Sequence, residues 1–370
     1  MEKRPYNPLK KYIDNLMGDA LKNQVFTACS VGFFERKTNT LEGNVFNYGF
    51  AEEGQRTFPV DEDIFFDLAS LTKPLVISLG ILALLEEKKL HIEDKISSFF
   101  KTLPSDKKKI TLLHLLNHCS GLPAHQPYYK KLVDFPQNER TEKLIEWILA
   151  EKLSFEPGDD TLYSDLGFII LGKIIEKISG ESLDTYWSQT IAKPLGLEKG
   201  LFYPSKKEKD SFMFIPTSRF KLPNLSLYGQ VNDDNCRAVG GVSGHAGLFG
   251  SAEAVLSLCE NILLQFQQER KHPCYSSETM QNALSHRKGA WRFGFDTPTR
   301  GISSSGKYFS DLTVGHLGFT GTSFWIDLQR GIAIVVLTNR VLFGEALTPI
   351  RIFRPLLHDT IMEYIIKKPR

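Results

Sequence analysis

Near the N-terminus, apolar residues fall at helical spacing (Tyr12, Leu16, Met17, Leu21), which predicts an amphipathic helix within residues 1–23. Residues 25–34 and 44–50 instead read as two strands around the turn-rich Lys37-Thr38-Asn39-Thr40. An apolar run from Pro74 through Leu85 predicts a buried helix over residues 70–87. Pro74 falls in its first turn, where a missing backbone N–H costs nothing. Residues 91–100 read as a loop with a short helix. Thr111 caps another short helix to residue 118, apolar at Leu112, Leu113, Leu115 and Leu116 and stopped by Ser120-Gly121-Leu122-Pro123. Amphipathic helices follow over 141–153 and 166–179, the second closed by Gly180. A further helix over 183–191 ends at Pro194-Leu195-Gly196-Leu197, residues 201–240 read as irregular, and 252–268 as helical. Residues 322–327 and 332–338 are β-branched and aromatic around Leu328-Gln329-Arg330-Gly331, a hairpin pattern, and a helix over 350–366 closes the chain.

Strands at both ends around a helical middle predict an α+β fold, with an antiparallel sheet assembled from the two termini and flanked by helices. The chain reads as one unit over residues 1–370. Its α/β part covers about 1–70 and 245–370, and an α-helical subdomain covers about 71–244.

Composition narrows the function classes. With 370 residues and 42% hydrophobic content, the chain can bury roughly three quarters of its unfolded surface. Lys+Arg 45 against Asp+Glu 43 leaves a net charge of +2, which offers no electrostatic case for nucleic acid or a membrane surface. The basic run Lys107-Lys108-Lys109 reads as a solvated loop. Five cysteines without C-x-x-C spacing argue for free thiols and a reducing compartment. No 18-residue apolar run is read, so no membrane-crossing helix is expected. The N-terminus lacks a signal-peptide pattern, so the expected location is cytoplasmic, or periplasmic for a trimmed chain. No G-x-G-x-x-G or P-loop pattern occurs, and no cofactor is expected. His114, His118 and His125 invite a metal reading, the first two at i, i+4, a ligand spacing, but no acidic residue or cysteine at a sensible spacing completes a site except Cys119, which would point elsewhere, and no metal is expected. His245, in a glycine-rich turn, reads as a backbone cap, with lining the pocket as the alternative. The 26 phenylalanines suit a dense core.

Candidate chemistry begins at Ser70-Leu71-Thr72-Lys73. On one helix, Ser70 and Lys73 share a face, with Cβ atoms roughly 5–6 Å apart. An ammonium in so apolar a helix start is expensive unless it has a partner, and nothing acidic follows within one turn. Lys73 could take the Ser70 proton only if its pKa fell by several units. Tyr163 is the other candidate base. It sits with Asp165 where a loop enters the predicted helix from residue 166; a core tyrosine and an N-cap aspartate would be the bland account. Gly315-His316-Leu317-Gly318-Phe319-Thr320-Gly321-Thr322 enters the C-terminal hairpin, and its glycines let backbone approach a ligand closely. A Ser70 N–H paired with one from this strand would make an oxyanion hole.

Together these three pieces resemble the serine β-lactamase and penicillin-binding protein superfamily, in its class C β-lactamase-like esterase branch. The matching residues are Ser70/Lys73, Tyr163/Asp165 and His316/Gly318. The passages 112–123 and Gly240-Gly241-Val242-Ser243-Gly244-His245-Ala246-Gly247-Leu248-Phe249 are similar to the family as well. The resemblance implies a β-lactamase/transpeptidase-like fold and an acyl-enzyme on Ser70. Lys73 and Tyr163 would transfer the proton, Asp165 would position Lys73 or the substrate, and His316 would line the site. The N–H groups of Ser70 and Phe319 would form the oxyanion hole, next to Gly318. Leu317 lacks the hydroxyl that many peptidoglycan-directed relatives carry there, and His316 replaces a permanent cation. Both changes point to a small ester or amide. A D,D-peptidase, amidase or β-lactamase on peptidoglycan-type substrates is the alternative, with β-lactams as ligands. A non-hydrolytic penicillin-binding-type sensor is the reading from another class.

Overall fold

The structure is a computed structural model that describes residues 7–37, 40–53, 56–211, 213–217, 229–271, 273–299, 301, 303–344 and 346–367. The two ends of the chain meet in one sheet. Ala28–Lys37 pairs antiparallel with Thr40–Glu53 on one side and with Ile332–Thr338 on the other, so Cys29 stands opposite both Tyr48 and Thr338. The predicted turn between the first two strands includes Thr38 and Asn39, which lie outside the described residues. Beyond Ile332–Thr338 come Ser323–Asp327, Thr313–Leu317, Phe295–Asp296, Trp291–Arg292 and Arg287–Lys288, and Arg56–Pro59 closes the opposite edge. All nine strands pair antiparallel. The hairpin read at residues 322–338 forms with Ile332–Thr338 as its second strand. The outer strands from 287 to 296 and the Arg56–Pro59 edge were not legible, because most are two residues long and show no alternation.

Both faces of the sheet are covered, which explains why Ile332–Thr338 is a continuous apolar run. Ile332, Ile334 and Val336 face a layer made by the first and last helices, Asn7–Lys22 and Thr348–Lys367. Leu9, Ile13, Met17 and Ala20 are the buried positions of the first helix, whereas Tyr12 is 60% exposed, so its buried stripe is rotated from the predicted one. Ala333, Val335 and Leu337 face the larger core, to which the helix Ala252–Phe266 and the helical middle of the chain contribute.

In that middle stand Leu112–Leu116, capped by Thr111, then Gln137–Ala150 and Asp165–Ser179, with Gly180 left-handed at φ 75°. The cap of Asp165–Ser179 is Ser164, whose hydroxyl accepts from Gly167 N–H, so Asp165 is spared that role. Three expectations need correction. The segment predicted as one α-helix at 70–87 is a 3₁₀ turn at Ala69–Leu71, a π-helix at Lys73–Ser78 and an α-helix at Leu79–Glu86. Pro74 has no N–H to give the Ser70 carbonyl, which removes the i→i−4 bond that would have kept this start α-helical. Ala69–Glu86 is also long and apolar enough to cross a membrane by length and composition, contrary to expectation. It is 83% buried within the protein, as core helices are. Lys107 is not solvated either: it is buried and paired with Asp106 at 2.7 Å.

Candidate active site

Ser70 follows a constrained approach. Ala69 sits at φ 49°, a left-handed conformation rare for a residue with a Cβ. The buried Asp67 carboxylate holds the bend by accepting from Ala69 N–H at 2.8 Å and from Asn232 N–H at 2.7 Å. Ser70 Oγ then accepts from Lys73 Nζ at 2.9 Å and from Tyr163 Oη at 2.8 Å. Despite the mixed helix type, the i, i+3 spacing brings serine and lysine together. The missing acidic partner comes from far along the chain: Asp165 Oδ1 lies 2.7 Å from Lys73 Nζ. The third N–H of the ammonium points to the His245 carbonyl at 3.2 Å.

This pairing sets the protonation states. Burial pulls Lys73 down, but the Asp165 carboxylate and then Tyr163 outweigh it, and the pKa is raised. Burial pushes Asp165 up, yet Lys73 foremost holds it well below the usual carboxylate range. Burial raises Tyr163 despite the nearby ammonium. The resting site therefore holds an ammonium, a carboxylate and a neutral phenol. The depressed lysine that a simple Ser–Lys mechanism needs is absent, because its nearest charged neighbour is an anion.

The glycine-rich turn is tied to the approach to Ser70. Thr320 and Thr322 hydroxyls donate to the Asp67 and Leu68 carbonyls at 2.8 and 3.1 Å. Arg354, buried in the last helix, donates to the Gly318 and Thr322 carbonyls at 2.8 and 2.7 Å. Arg340 donates to the Phe319 carbonyl at 2.7 Å. Among the described residues, neither the Ser70 nor the Phe319 backbone N–H donates to another protein group. His316 is buried, with Nδ1 against the Leu317 carbonyl at 2.8 Å. Burial, then Lys73, lower its pKa to about 3, so its imidazole is neutral.

Ser70, Tyr163, Asp165, His316 and Arg354 line a cleft of about 1190 Å³ that also takes in Leu317, Gly318, Phe319 and Arg351. Tyr163 packs in an aromatic wall with Trp291 at 5.5 Å and His118 at 4.7 Å between ring centroids. His118 Nδ1 accepts from Ser164 N–H, and His114 Nδ1 accepts from Thr111 N–H in the capping box. A different set could hold a cation: His125, Asp165 and Asp233 present ligand atoms within 4.8 Å of one another. His125 Nδ1 is 3.6 Å from Asp165 Oδ2. His245 is not a backbone cap. Its ring lies between Ser243 Oγ at 2.9 Å and Asp233 Oδ1 at 2.8 Å, since Asp233 arrives on the short helix after residue 233. Trp291 and Asp233 carry no local motif, and sequence reasoning missed them.

The family model described as Beta-lactamase matches residues 37–353. The N-acetylmuramyl-L-alanine amidase of Bacillus subtilis (strain 168) is 32% identical over 300 residues, 74% of this chain and 68% of that protein. Among solved structures, EstCE1, a hydrolase with promiscuous acyltransferase activity, superposes with a TM-score of 0.69 at 21% identity, covering 94% of this chain and 98% of that one. A class C beta-lactamase mutant gives 0.71 at 15% identity, over 96% and 98%. At these identities the two structures speak for the fold. The amidase and the family match carry the assignment further: this chain belongs to the beta-lactamase family and is a serine hydrolase of that fold.

Proposed function

We propose that the protein cleaves a small ester or amide through an acyl intermediate on Ser70. The observation that carries this reading is the convergence of Lys73 Nζ and Tyr163 Oη on Ser70 Oγ, at 2.9 and 2.8 Å, in the wall of a large cleft. Ser70 Oγ attacks the acyl carbon and its proton moves to Tyr163 Oη, while Tyr163 passes its own proton to the departing oxygen or nitrogen. Lys73, kept cationic by Asp165, stabilises the charge that builds on these oxygens. The Ser70 and Phe319 N–H groups receive the oxyanion. Water then attacks the acyl-Ser70 carbon, with the protons moving in reverse.

Leu317 and the neutral His316 leave the third motif without a hydroxyl or a cation for a substrate carboxylate, which favours an uncharged group there. The peptidoglycan-type reading draws on two other observations. A relative is named as an amidase of N-acetylmuramyl-L-alanine. Arg351 also lines the cleft, exposed and with no carboxylate in ion-pair range among the described residues. All five cysteines carry free thiols, which supports work in a reducing compartment.

Rapid-mixing kinetics with p-nitrophenyl acetate should show a burst of one equivalent, and intact mass spectrometry an acetyl adduct. Ser70→Ala should lose both. Full ester turnover by Ser70→Ala would overturn the nucleophile assignment. A stable adduct without steady-state turnover would identify a sensor. Release of D-alanine from a stem peptide at rates above the ester would favour the peptidase, and Leu317→Thr should raise that rate.

A further inference from the structure

We infer that Asp233, His245 and Ser243 form a clamp that positions Lys73 against Ser70. This inference rests on the Ser70 reading above and concerns how its neighbour is held. Three hydrogen bonds trace it. His245 is buried, with Nε2 at 2.8 Å from Asp233 Oδ1 and Nδ1 at 2.9 Å from Ser243 Oγ. A carboxylate only accepts, so Nε2–H donates to Asp233, while Nδ1 shares a hydrogen bond with the Ser243 hydroxyl. The His245 carbonyl in turn accepts from Lys73 Nζ at 3.2 Å.

The clamp is needed because residue 245 lies in irregular backbone, between Gly244 and a left-handed Gly247 at φ 112°. No strand ladder fixes its carbonyl. The loop's other ties are on neighbouring residues: the Ser243 and Ala246 carbonyls accept from Tyr203 Oη and Cys236 Sγ at 3.1 and 3.3 Å, Gly244 packs so closely that a Cβ would collide with the Phe168 carbonyl, and Leu248 N–H donates to Thr72 Oγ1 at 3.2 Å. At residue 245 itself, the ring gripped at both nitrogens sets where the carbonyl points. Lysine has four rotatable side-chain bonds, so the third acceptor decides whether Nζ stays at Ser70 Oγ.

The same residue types form nucleophilic triads elsewhere, but Ser243 is not a second nucleophile. The space it faces on its far side is about 20 Å³, room for about one water molecule and no acyl group. Asp233 also caps the short helix after it by accepting from Cys236 N–H at 2.7 Å, which ties the clamp to a rigid element.

Ser243→Ala is the cleanest test, since Ser243 does not line the catalytic cleft and its effect on chemistry must pass through His245. Burst kinetics with p-nitrophenyl acetate should show acylation about tenfold slower in Ser243→Ala and about a hundredfold slower in His245→Ala, with KM changed less than about twofold. His245→Gln, which keeps a donor and an acceptor, should recover about tenfold over alanine. Acylation within about twofold of wild type in Ser243→Ala and His245→Ala, at unchanged melting temperature, would overturn the clamp. Should His245→Ala not fold, Ser243→Ala decides alone. A wild-type chain that shows no burst defeats the Ser70 reading instead. Crystal structures then judge the clamp: Lys73 Nζ remaining within about 3.3 Å of Ser70 Oγ in His245→Ala or Ser243→Ala rejects it, and displacement upholds it.

Discussion

Asp165 is the residue on which the electrostatics of the cleft turn. It offsets the cost of burying Lys73 completely, and one of its oxygens is committed to that ion pair at 2.7 Å. Removing one partner of a buried pair leaves an uncompensated charge, so Asp165→Asn should cost about 3–5 kcal/mol in chemical denaturation. It should also slow acylation by at least about a hundredfold, as Lys73 loses the anion that holds it protonated and in place. Asp296 carries a second prediction. It lines the cleft, its carboxylate accepts from Thr297 N–H at 2.8 Å, and burial pushes its carboxyl up to about 7. Because the folded value is raised, the stability it contributes is full below its unfolded value and is lost as pH rises through about 7. Over the same range the cleft gains negative charge. The kcat/KM ratio for an anionic ester against a neutral analogue should therefore fall above about pH 7, and Asp296→Asn should flatten it. A wild-type ratio that stays level from about pH 6 to 8 would count against an ionising Asp296. Ser70, Lys73, Tyr163 and Asp165 were legible as local motifs, because short spacings along the chain carry them. The resemblance also implied that Asp165 positions Lys73, whereas the aromatic wall around Tyr163 was not legible, since residues 128 positions apart share no local pattern.

At the scale of elements, the turn at residues 318–322 is the piece that aligns the two candidate oxyanion donors. Its threonine hydroxyls bind the carbonyls of Asp67 and Leu68, immediately before the nucleophile, so the strand end and the helix start move as one body. Gly318 permits this contact: a Cβ there would overlap Thr322 Oγ1 and come within 2.9 Å of the Leu68 carbonyl. Gly318→Ala should lower kcat by about a hundredfold by displacing the Phe319 N–H, with a small change in melting temperature, as measured by steady-state kinetics and calorimetry. The elements themselves were read unevenly. Ile332–Thr338 and Asp165–Ser179 match their expected spans closely, because a long β-branched run and a long periodic stretch leave little choice. The helix after Ser70 kept its place but not its type, since a missing N–H at Pro74 acts on hydrogen bonding and leaves periodicity untouched.

Across the whole molecule, the sheet divides two apolar layers, and the outer one is made by helices from the two chain ends. Ile361 is fully buried there, away from the cleft. Ile361→Ala should cost about 2–5 kcal/mol in thermal or chemical unfolding while KM stays unchanged. A shift in KM without loss of stability would contradict the separation of the two layers. The α+β class, an antiparallel sheet built from both chain ends and the motifs carrying Ser70, Lys73 and Tyr163 could be had from the chain alone, because hydrophobic period and short spacings are local properties. Which face of the first helix is buried, how the helix after Ser70 is wound, what packs around Tyr163 and what grips His245 were decided only in three dimensions. Each depends on groups brought together across tens to hundreds of residues, where the free energy of a contact leaves no trace in the neighbouring sequence.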